Sequence, residues 1–259
     1  MAELEALIFD VDGTLADTEK DGHRVAFNKA FADAGLDWDW TVDIYGDLLR
    51  VTGGKERMKF YLQKYRPEFR VDGDLEAFVA DLHAAKTEHY KALMADPGLP
   101  LRPGVERLLR EAGSAGLRLA IATTTTPANV TALLNNSLAA DAEDWFEVIA
   151  AGDIVPAKKP APDIYVWAME QMNLAPEQCL AFEDSDNGVK SVLGSGIRSL
   201  LVTVNDYTRS QDFSGATMVV DHLGEPGKPC EVLAGPPGLI RGQVDVDTLK
   251  ALHEHAAVR

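Results

Sequence analysis

The chain has 259 residues, of which 46% are hydrophobic and 25% charged, and its formal net charge is −16. This length permits one large domain or two smaller ones with a substantial core, and the composition is ordinary for a globular protein. The negative charge argues against nucleic acid or an anionic membrane as a partner, because both would repel it. No apolar run approaches the roughly 20 residues that a bilayer-spanning helix needs.

Cysteine usage and the N-terminal sequence bear on the cellular compartment. Cys179 and Cys230 form neither a disulfide framework nor a zinc-binding spacing, which indicates a reducing compartment. The apolar run Ala6–Phe9 begins so early that it leaves no room for a signal or transit peptide. We therefore expect a cytoplasmic protein, or a protein of the plastid stroma whose transit peptide has been removed. The sequence has no long coiled-coil seam, and we expect a monomer.

Two carboxylates follow the first apolar run. Ala6–Phe9 predicts a short buried strand, and Asp10 and Asp12 come directly after it, with Gly13 next. Burying an unpaired carboxylate is costly, so both belong at the carboxyl end of the strand, where open α/β sheets bind their ligands. Taken alone, this segment fits an ordinary turn after a strand equally well.

The apolar pattern divides the chain into a helical insert and an alternating part. Between about residues 17 and 94, apolar residues recur at helical spacing and no strand is predicted. Later the predicted strands, at 117–122, 146–151, 179–182, 197–204 and 218–220, alternate with helices. This alternation predicts an α/β fold, a doubly wound parallel Rossmann-like sheet with an inserted all-helical domain. Residues 224–259 are a Pro/Gly-rich extension, irregular to about 238, with a possible short helix near Leu249.

Polar residues follow four of the predicted strands. They are Asp10, Asp12 and Thr14, then Thr123, then Lys158 and Lys159, and finally Glu183, Asp184 and Ser185. A hydroxyl, a lysine and carboxylate pairs around one crevice describe a phosphoryl-transfer site with a hard divalent cation such as Mg²⁺. Plainer explanations are that Thr123 ends a strand, that Lys158 is solvated, and that Ser185 caps a helix.

This ordered set resembles the haloacid dehalogenase superfamily, mostly phosphatases, over about residues 4–222. The resemblance implies a catalytic core at 1–16 and 95–223 and a cap at 17–94 that sets substrate specificity. It implies that Asp10 is the nucleophile that becomes an aspartyl phosphate and that Asp12 is the general acid and base. Thr123 and Lys159 match the hydroxyl and the lysine of the later motifs. The residues implied for the magnesium site are Asp10, Asp12, Glu183 and Asp184.

Two residues of the first motif bear on the type of reaction. A dehalogenase needs no second aspartate at Asp12, whereas a leaving alkoxide needs a proton donor, which typically contributes about 10²–10⁴-fold to the rate. Thr14, in place of an aliphatic residue, also favours a phosphatase over the sugar-phosphate mutases that share this type of cap.

The cap carries the candidate substrate contacts. The backbone of Gly53 and Gly54, beside Lys55 and Arg57, is suited to hold a second anionic group, although a solvated helix start is the alternative. Glu19 and His23 follow the first motif, where a cap hinge would bring them near the hydroxyls of a sugar. For His23, an exposed position in a first helical turn is equally consistent.

A narrower resemblance is to the CbbY family. It is carried by D-V-D-G-T-L-A-D-T-E, T-G-G-K-E-R-M, H-A-A-K-T-E-H-Y, and K-K-P-A-P-D-I-Y followed by E-D-S. That family accompanies Calvin-cycle genes and dephosphorylates xylulose 1,5-bisphosphate, an inhibitor of Rubisco. The resemblance implies that Lys55 and Arg57 meet the remote phosphate. The residues expected near the rest of the substrate are Glu19, His23 and Tyr45, together with Thr124 and Asn187, which also fit a turn and a helix cap.

The expected protein is therefore a Mg²⁺-dependent phosphatase of a phosphorylated sugar, with xylulose 1,5-bisphosphate as the leading substrate. The alternatives are a phosphomutase of the β-phosphoglucomutase type, a phosphatase of another small ester such as phosphoglycolate, and a non-catalytic phosphosugar sensor. The intact set Asp10, Asp12, Lys159 and Asp184 argues against the sensor.

Overall fold

The structure, a computed structural model, describes residues 2–71, 73–96 and 98–258. The strands are β1 (Ala6–Phe9), β2 (Arg118–Thr123), β3 (Val148–Ala151), β4 (Cys179–Glu183), β5 (Ser199–Thr203), β6 (Met218–Val220) and β7 (Val232–Ala234). The helices are α1 (Arg24–Asp33), α2 (Val42–Leu48), α3 (Gly54–Tyr65), α4 (Leu75–Ala95), α5 (Val105–Ser114), α6 (Pro127–Ser137), α7 (Asp163–Met172), α8 (Asp186–Gly194) and α9 (Val246–Ala257). A π-helical turn, Glu19–His23, precedes α1.

The strands form a sheet in the order β3-β2-β1-β4-β5-β6-β7. All neighbouring pairs are parallel except β6 and β7, which are antiparallel. The chain winds outward from β1 to β3 and then returns to β4 on the other side of β1. An α/β sheet of this kind opens a crevice at the carboxyl ends of the two strands where the winding reverses, here β1 and β4. The predicted fold class is confirmed.

Alternate residues of the strands face two apolar layers. Leu7 and Phe9 pack in one core cluster with residues of α5, α6 and α9, and Ala6 and Ile8 pack in the other with residues of α7 and α8. The rings of Phe9 and Phe182 stack with their centroids 4.2 Å apart. These contacts fix the carboxyl ends of β1 and β4 side by side.

The helices α1 to α4 lie between β1 and β2 in sequence and have an apolar cluster of their own. Its buried members are Phe27, Phe31, Trp38, Trp40, Tyr45, Leu48, Met58, Tyr61, Val79 and Leu82. The two segments that join this helical part to the sheet run together, since Ala16 and Leu101 form a bridge and the Arg102 amide donates to the Leu15 carbonyl at 2.8 Å. The boundaries of core and cap, at residues 16 and 95, stay a prediction.

The C-terminal segment differs from the sequence expectation. Residues 224–238 are predicted to be irregular, yet β7 lies within them and pairs with β6. The predicted short helix is α9, whose N-cap Asp245 accepts a hydrogen bond from the Thr248 amide at 2.7 Å. Leu249 and Leu252 are fully buried in the larger core cluster. In the described parts of the chain, none of the helices combines the length and the apolar character that a membrane crossing requires.

Candidate active site

Three carboxylates meet at the carboxyl ends of β1 and β4. Phe9 pairs with Phe182 in the sheet, so that Asp10 and Glu183, the next residues, are neighbours, and Asp184 follows. Carboxylate oxygens of Asp10, Glu183 and Asp184 all lie within 4.8 Å of one another, and all three residues are buried. The sheet register thus builds the acidic cluster that the sequence predicts, with the exception of Asp12.

Lys159 partly neutralises this acidic cluster. Its Nζ donates to Asp10 Oδ1 at 2.7 Å and to Glu183 Oε1 at 2.6 Å. Burial lowers the pKa of Lys159, but the Asp10 and Glu183 carboxylates outweigh it and the net pKa lies above the usual range. Tyr165 donates its hydroxyl to Glu183 Oε1 at 2.6 Å.

One lysine does not compensate three buried carboxylates. Burial, with the charges of Glu183 and Asp12, raises the pKa of Asp10 to about 7 although Lys159 opposes the shift. Burial, with the charges of Asp10 and Glu183, raises the pKa of Asp184 well above its usual value. Burying carboxylates whose charge is not compensated costs free energy, and a bound divalent cation would remove that cost. Carboxylate oxygens are the ligands that Mg²⁺ prefers. The donor chemistry of the acidic cluster therefore fits a hard divalent cation.

The Asp12 side chain lies apart from the acidic cluster and is directed toward the cap. Its Oδ1 accepts hydrogen bonds from Thr18 Oγ1 at 2.5 Å and from His23 Nε2 at 2.8 Å. Burial would raise its pKa, but His23 and Thr18 outweigh burial and hold the pKa below the usual range. Among the described residues, the Asp12 carboxylate is therefore not part of the acidic cluster, and the expectation that Asp12 is a metal ligand stays a prediction.

His23 is buried rather than exposed, and it links Asp12 to a lysine. Its Nδ1 lies 2.7 Å from Lys86 Nζ, and its ring stacks on Tyr90 with centroids 4.4 Å apart. Burial lowers the pKa of Lys86 to about 8, although the Asp12 and Glu19 carboxylates favour the charged form. Asp12 thus lies at the end of a line of polar groups that begins in α4.

Two cavities open beside the acidic cluster, with volumes of about 410 and 440 Å³. Both are lined by Asp12, Glu19, Arg57 and Thr124. The predicted residues that line only the first are Asp10, Lys159, Glu183, Asp184 and Asn187. Those that line only the second are His23, Gly53, Gly54 and Lys55. Most of the predicted catalytic and substrate-binding residues are thus brought together around one space.

Two predicted residues lie behind the cavity walls. Thr123 is buried, and its Oγ1 accepts a hydrogen bond from the Thr125 amide at 3.2 Å. Tyr45 is fully buried, accepts a hydrogen bond from Arg57 Nη1 at 2.7 Å and donates one to Glu19. Tyr45 therefore holds Glu19 and Arg57 in place from behind the cavity walls, and the expectation that it lies near the sugar stays a prediction.

The charges of Arg57 and Lys55 are engaged by neighbouring carboxylates. Arg57 Nη1 lies 3.3 Å from Glu19 Oε2. An ion-pair cluster crosses from α3 to the loop after β3: Lys55 to Asp153 at 3.0 Å, Asp153 to Lys158 at 3.1 Å, and Lys158 to Glu56 at 3.2 Å. The solvated position expected for Lys158 is corrected, since its side chain is 19% exposed and paired on both sides.

Sequence reasoning missed several residues that contact the site. The spacing of Lys86 could have indicated its burial, because Leu82 and Tyr90, four residues away on either side, lie on the same buried face of α4. Tyr165 also lies on a buried helix face, in α7. Asn205, which donates from Nδ2 to Asp184 Oδ2 at 2.7 Å, follows β5 and has no local signal in the sequence.

Residues 4–196 match the family model of the haloacid dehalogenase-like hydrolases. The chain is 46% identical to the plasmid-encoded protein CbbY of Cupriavidus necator over 250 residues, which are 96% of this chain and 97% of that protein. It is 53% identical to protein CbbY of Rhodobacter capsulatus over 221 residues, 85% of this chain and 94% of that one.

A solved structure shows the same arrangement of the chain. The crystal structure of CbbY from Rhodobacter sphaeroides in complex with phosphate superposes with a TM-score of 0.78 at 46% identity, covering 85% of this chain and 94% of that one. A mutant of the same protein was crystallised in complex with xylulose-(1,5)bisphosphate, and it superposes with a TM-score of 0.77.

Proposed function

Since the chain belongs to the haloacid dehalogenase-like hydrolases and is a sugar-phosphate phosphatase, we propose that it hydrolyses xylulose 1,5-bisphosphate to xylulose 5-phosphate and phosphate with the help of Mg²⁺. The observation that carries the proposal is the acidic cluster with Lys159, which together line the first cavity. By the same likeness, the reaction would remove an inhibitor of Rubisco in the cytoplasm of an organism with a Calvin cycle, or in a plastid stroma.

The nucleophile in this proposal is Asp10. Lys159 binds Asp10 Oδ1, while Oδ2 accepts no side-chain hydrogen bond from the described residues and is free to attack phosphorus. Bond formation from Asp10 to phosphorus breaks the bond from phosphorus to the sugar oxygen and gives an aspartyl phosphate. Glu183 and Asp184, with Asp10, would hold Mg²⁺, which supplies charge neutralisation to the phosphoryl oxygens when it is bound.

Asp12 carries the proton in this proposal. Asp12 must first take up a proton, which it gives to the departing sugar oxygen in the first step. The carboxylate that remains accepts a proton from the attacking water in the second step, which releases phosphate and restores Asp10. Thr18 and His23 favour the ionised form of Asp12, and that form is the one needed to activate water.

The second anionic group of the substrate would lie among the cations of the second cavity, as expected for Lys55 and Arg57. Gly53 and Gly54 bring the start of α3 to the same wall, and Thr124 and Asn187 face the substrate from the sheet side. The present ion pairs of Lys55 and Arg57 mean that a bisphosphate would have to compete with Asp153 and Glu19. This competition favours a substrate with two phosphate groups over one with a single phosphate group.

The decisive experiment is phosphate release from a panel of phosphosugars with and without Mg²⁺. The panel contains xylulose 1,5-bisphosphate, xylulose 5-phosphate, glucose 1-phosphate and phosphoglycolate. We expect the bisphosphate to react with the highest kcat/KM, Mg²⁺ removal to abolish turnover, and Asp10→Asn to be inactive. The control Asp33→Asn changes an exposed aspartate that pairs with His89, and it should retain full activity. Full activity of Asp10→Asn would disprove the mechanism.

The same panel tests the position of the second anionic group. Lys55→Ala should lower kcat/KM for the bisphosphate and leave the monophosphates unchanged. Lys59→Ala, an equally exposed lysine of α3 that pairs with Glu76, is the matched control. Equal losses on all substrates would show that Lys55 does not contact a second phosphate.

A phosphomutase is the second candidate, because a putative β-phosphoglucomutase of Thermotoga maritima superposes with a TM-score of 0.59 at 29% identity. A mutase would return the phosphoryl group to the sugar. Isomerised product without stoichiometric free phosphate would therefore favour it over the phosphatase.

A further inference from the structure

Arg102 lies where the chain returns from the cap to the sheet, and its guanidinium is buried. The side chain is only 7% exposed. Its nitrogens donate to the backbone carbonyl of Gly13, to that of Thr203 at 3.2 Å, to that of Val204 at 2.6 Å and to that of Asp221 at 2.7 Å. The remaining nitrogen, Nε, lies 3.4 Å from Asp17 Oδ1. One side chain therefore joins the loop after β1 to the carboxyl ends of β5 and β6.

Two of these carbonyls belong to the backbone that contacts Asp184. Gly13 has a φ of 85°, and a Cβ atom there would lie only 2.3 Å from Asp184 Oδ2, so this loop passes directly over the carboxylate. Val204 precedes Asn205, which donates to Asp184 Oδ2 at 2.7 Å. Arg102 thus holds, from behind, both segments that surround Asp184.

An arginine is suited to this role for geometric reasons. Its planar fork donates in several fixed directions at once, whereas the single nitrogen of a lysine reaches fewer of these carbonyls. Its charge partner is the largely exposed Asp17, and its other acceptors are neutral carbonyls or the Thr203 hydroxyl. The charge of Arg102 also acts on buried Asp184, whose pKa it lowers, so Arg102 and Asp184 are coupled electrostatically as well as through the backbone.

We infer that Arg102 is a positioning residue for the acidic cluster, holding the Gly13 and Val204 backbone so that Asp184 presents its carboxylate to the divalent cation. This inference rests on the proposed Mg²⁺ site. Groups that orient metal ligands typically contribute about 10–100-fold to metal affinity. The arrangement of Asp184 would therefore depend on a residue that touches neither the substrate nor the cation.

The test is Mg²⁺ affinity measured by isothermal titration calorimetry on the full chain and on two variants. Arg102→Met should weaken Mg²⁺ binding about tenfold or more, and Arg102→Lys should weaken it less, since lysine keeps part of the hydrogen bonding. The Mg²⁺ concentration for half-maximal phosphate release should rise in parallel. The KM for the phosphosugar, measured at saturating Mg²⁺, should not change.

Arg107 provides a matched control. Its Nη2 donates to the backbone carbonyls of Leu223, Gly224 and Val244 at 3.2, 3.0 and 2.9 Å, and none of these residues contacts the acidic cluster among the described residues. Arg107→Met should lower the stability toward urea and leave the Mg²⁺ affinity unchanged.

Each outcome separates the inference from the proposed function. If the unaltered protein does not bind Mg²⁺, the proposed metal site fails. If it binds Mg²⁺ and both Arg102 variants bind equally well, only the inference is overturned. The inference is also overturned if both Arg102 variants fail to fold while Arg107→Met folds, because Arg102 would then be needed for the fold alone.

Discussion

Lys86 is a lysine buried among aromatic rings beside the line of polar groups that leads to Asp12. Its Nζ lies 5.2 Å from the ring centre of Phe27, 4.9 Å from that of Tyr90, and 2.7 Å from His23 Nδ1. These rings attract the ammonium group, but burial disfavours the charge more strongly and lowers the pKa to about 8. The folded protein therefore releases this proton more readily than the unfolded chain does.

The pKa of Lys86 predicts a pH-dependent stability. Between pH 8 and 10.5 the unfolded chain keeps the proton that the folded state loses, so the contribution of Lys86 to stability rises with pH. The free energy of unfolding of the unaltered protein, minus that of Lys86→Met, should increase by up to about 1.4 kcal/mol per pH unit in this window. Urea denaturation of both proteins measures it.

Lys91→Met, a change at a half-exposed lysine of the same helix that pairs with Glu88, is the control for this prediction. The free energy of unfolding of the unaltered protein, minus that of Lys91→Met, should stay constant across the same pH window. A constant difference for Lys86→Met would show that Lys86 keeps an ordinary pKa in the folded state.

For single residues, the sequence predicts those site contacts that form between residues at the ends of adjacent strands. Asp10 follows the apolar run of β1, and Glu183 and Asp184 lie at the end of that of β4. The strand–helix alternation that predicts a parallel sheet therefore also predicts their meeting. The contacts of Asp12 depend on where the cap lies, which no local pattern specifies. The same is true of Asn205, whose partner is distant in the chain.

At the scale of elements, α2 of the cap rests on the loop that follows β5. Gly46 of α2 faces Tyr207, and a Cβ atom at Gly46 would lie 3.3 Å from the ring. Tyr207 also contacts the ring of Tyr45, with centroids 6.2 Å apart. Both Gly46 and Tyr207 line the first cavity, so this contact sets how closely the cap approaches the acidic cluster.

Gly46→Val should weaken substrate binding. The added methyl groups would collide with Tyr207 in the present arrangement, and overpacking typically costs about 1–3 kcal/mol. If this cost falls on the approach of the cap, KM for the phosphosugar rises about tenfold for each 1.4 kcal/mol. Steady-state phosphate release measures KM and kcat.

The control is Gly113→Val in α5, where a Cβ atom meets nothing within 4 Å. This variant changes helix propensity as Gly46→Val does, but it adds no contact of the kind that Gly46→Val makes with Tyr207. An unchanged KM for Gly46→Val would mean that the cap binds substrate in a different position from the one seen here.

The sequence predicts elements best where apolar residues are numerous. The strand predicted at 218–220 has its observed bounds, because a continuous apolar run marks it. β7 is missed because its apolar run has only three residues and stands in a stretch rich in proline and glycine. Its strand conformation comes from pairing with β6, which is a tertiary contact.

At the scale of the whole molecule, the C-terminal helix stabilises the end of the sheet opposite the active site. His253 of α9 lies 2.8 Å from Ser199 Oγ through its Nδ1, and Ser199 is the first residue of β5. The acidic cluster lies at the other, carboxyl end of the strands. Substitutions in this helix should therefore change the free energy of unfolding without changing kcat or KM.

Leu249→Ala should lower the free energy of unfolding by about 2–5 kcal/mol, because a fully buried leucine leaves a cavity when it is truncated. The kcat and KM of the remaining folded protein should not change. Lys250→Ala, on the exposed side of the same helix, should leave stability nearly unchanged. A loss of kcat in Leu249→Ala at a temperature where it is fully folded would contradict this separation.

The pairing of β6 with β7 also bears on self-association at high protein concentration. An edge strand offers free amide and carbonyl groups to another chain, and long flat edge strands promote intermolecular strand addition. At this edge of the sheet the outermost strand, β7, is three residues long and prolines stand on both sides of it. Its pairing with β6 shifts register between Val219 and Val220. This edge strand therefore offers another chain few backbone amide and carbonyl groups with which to pair.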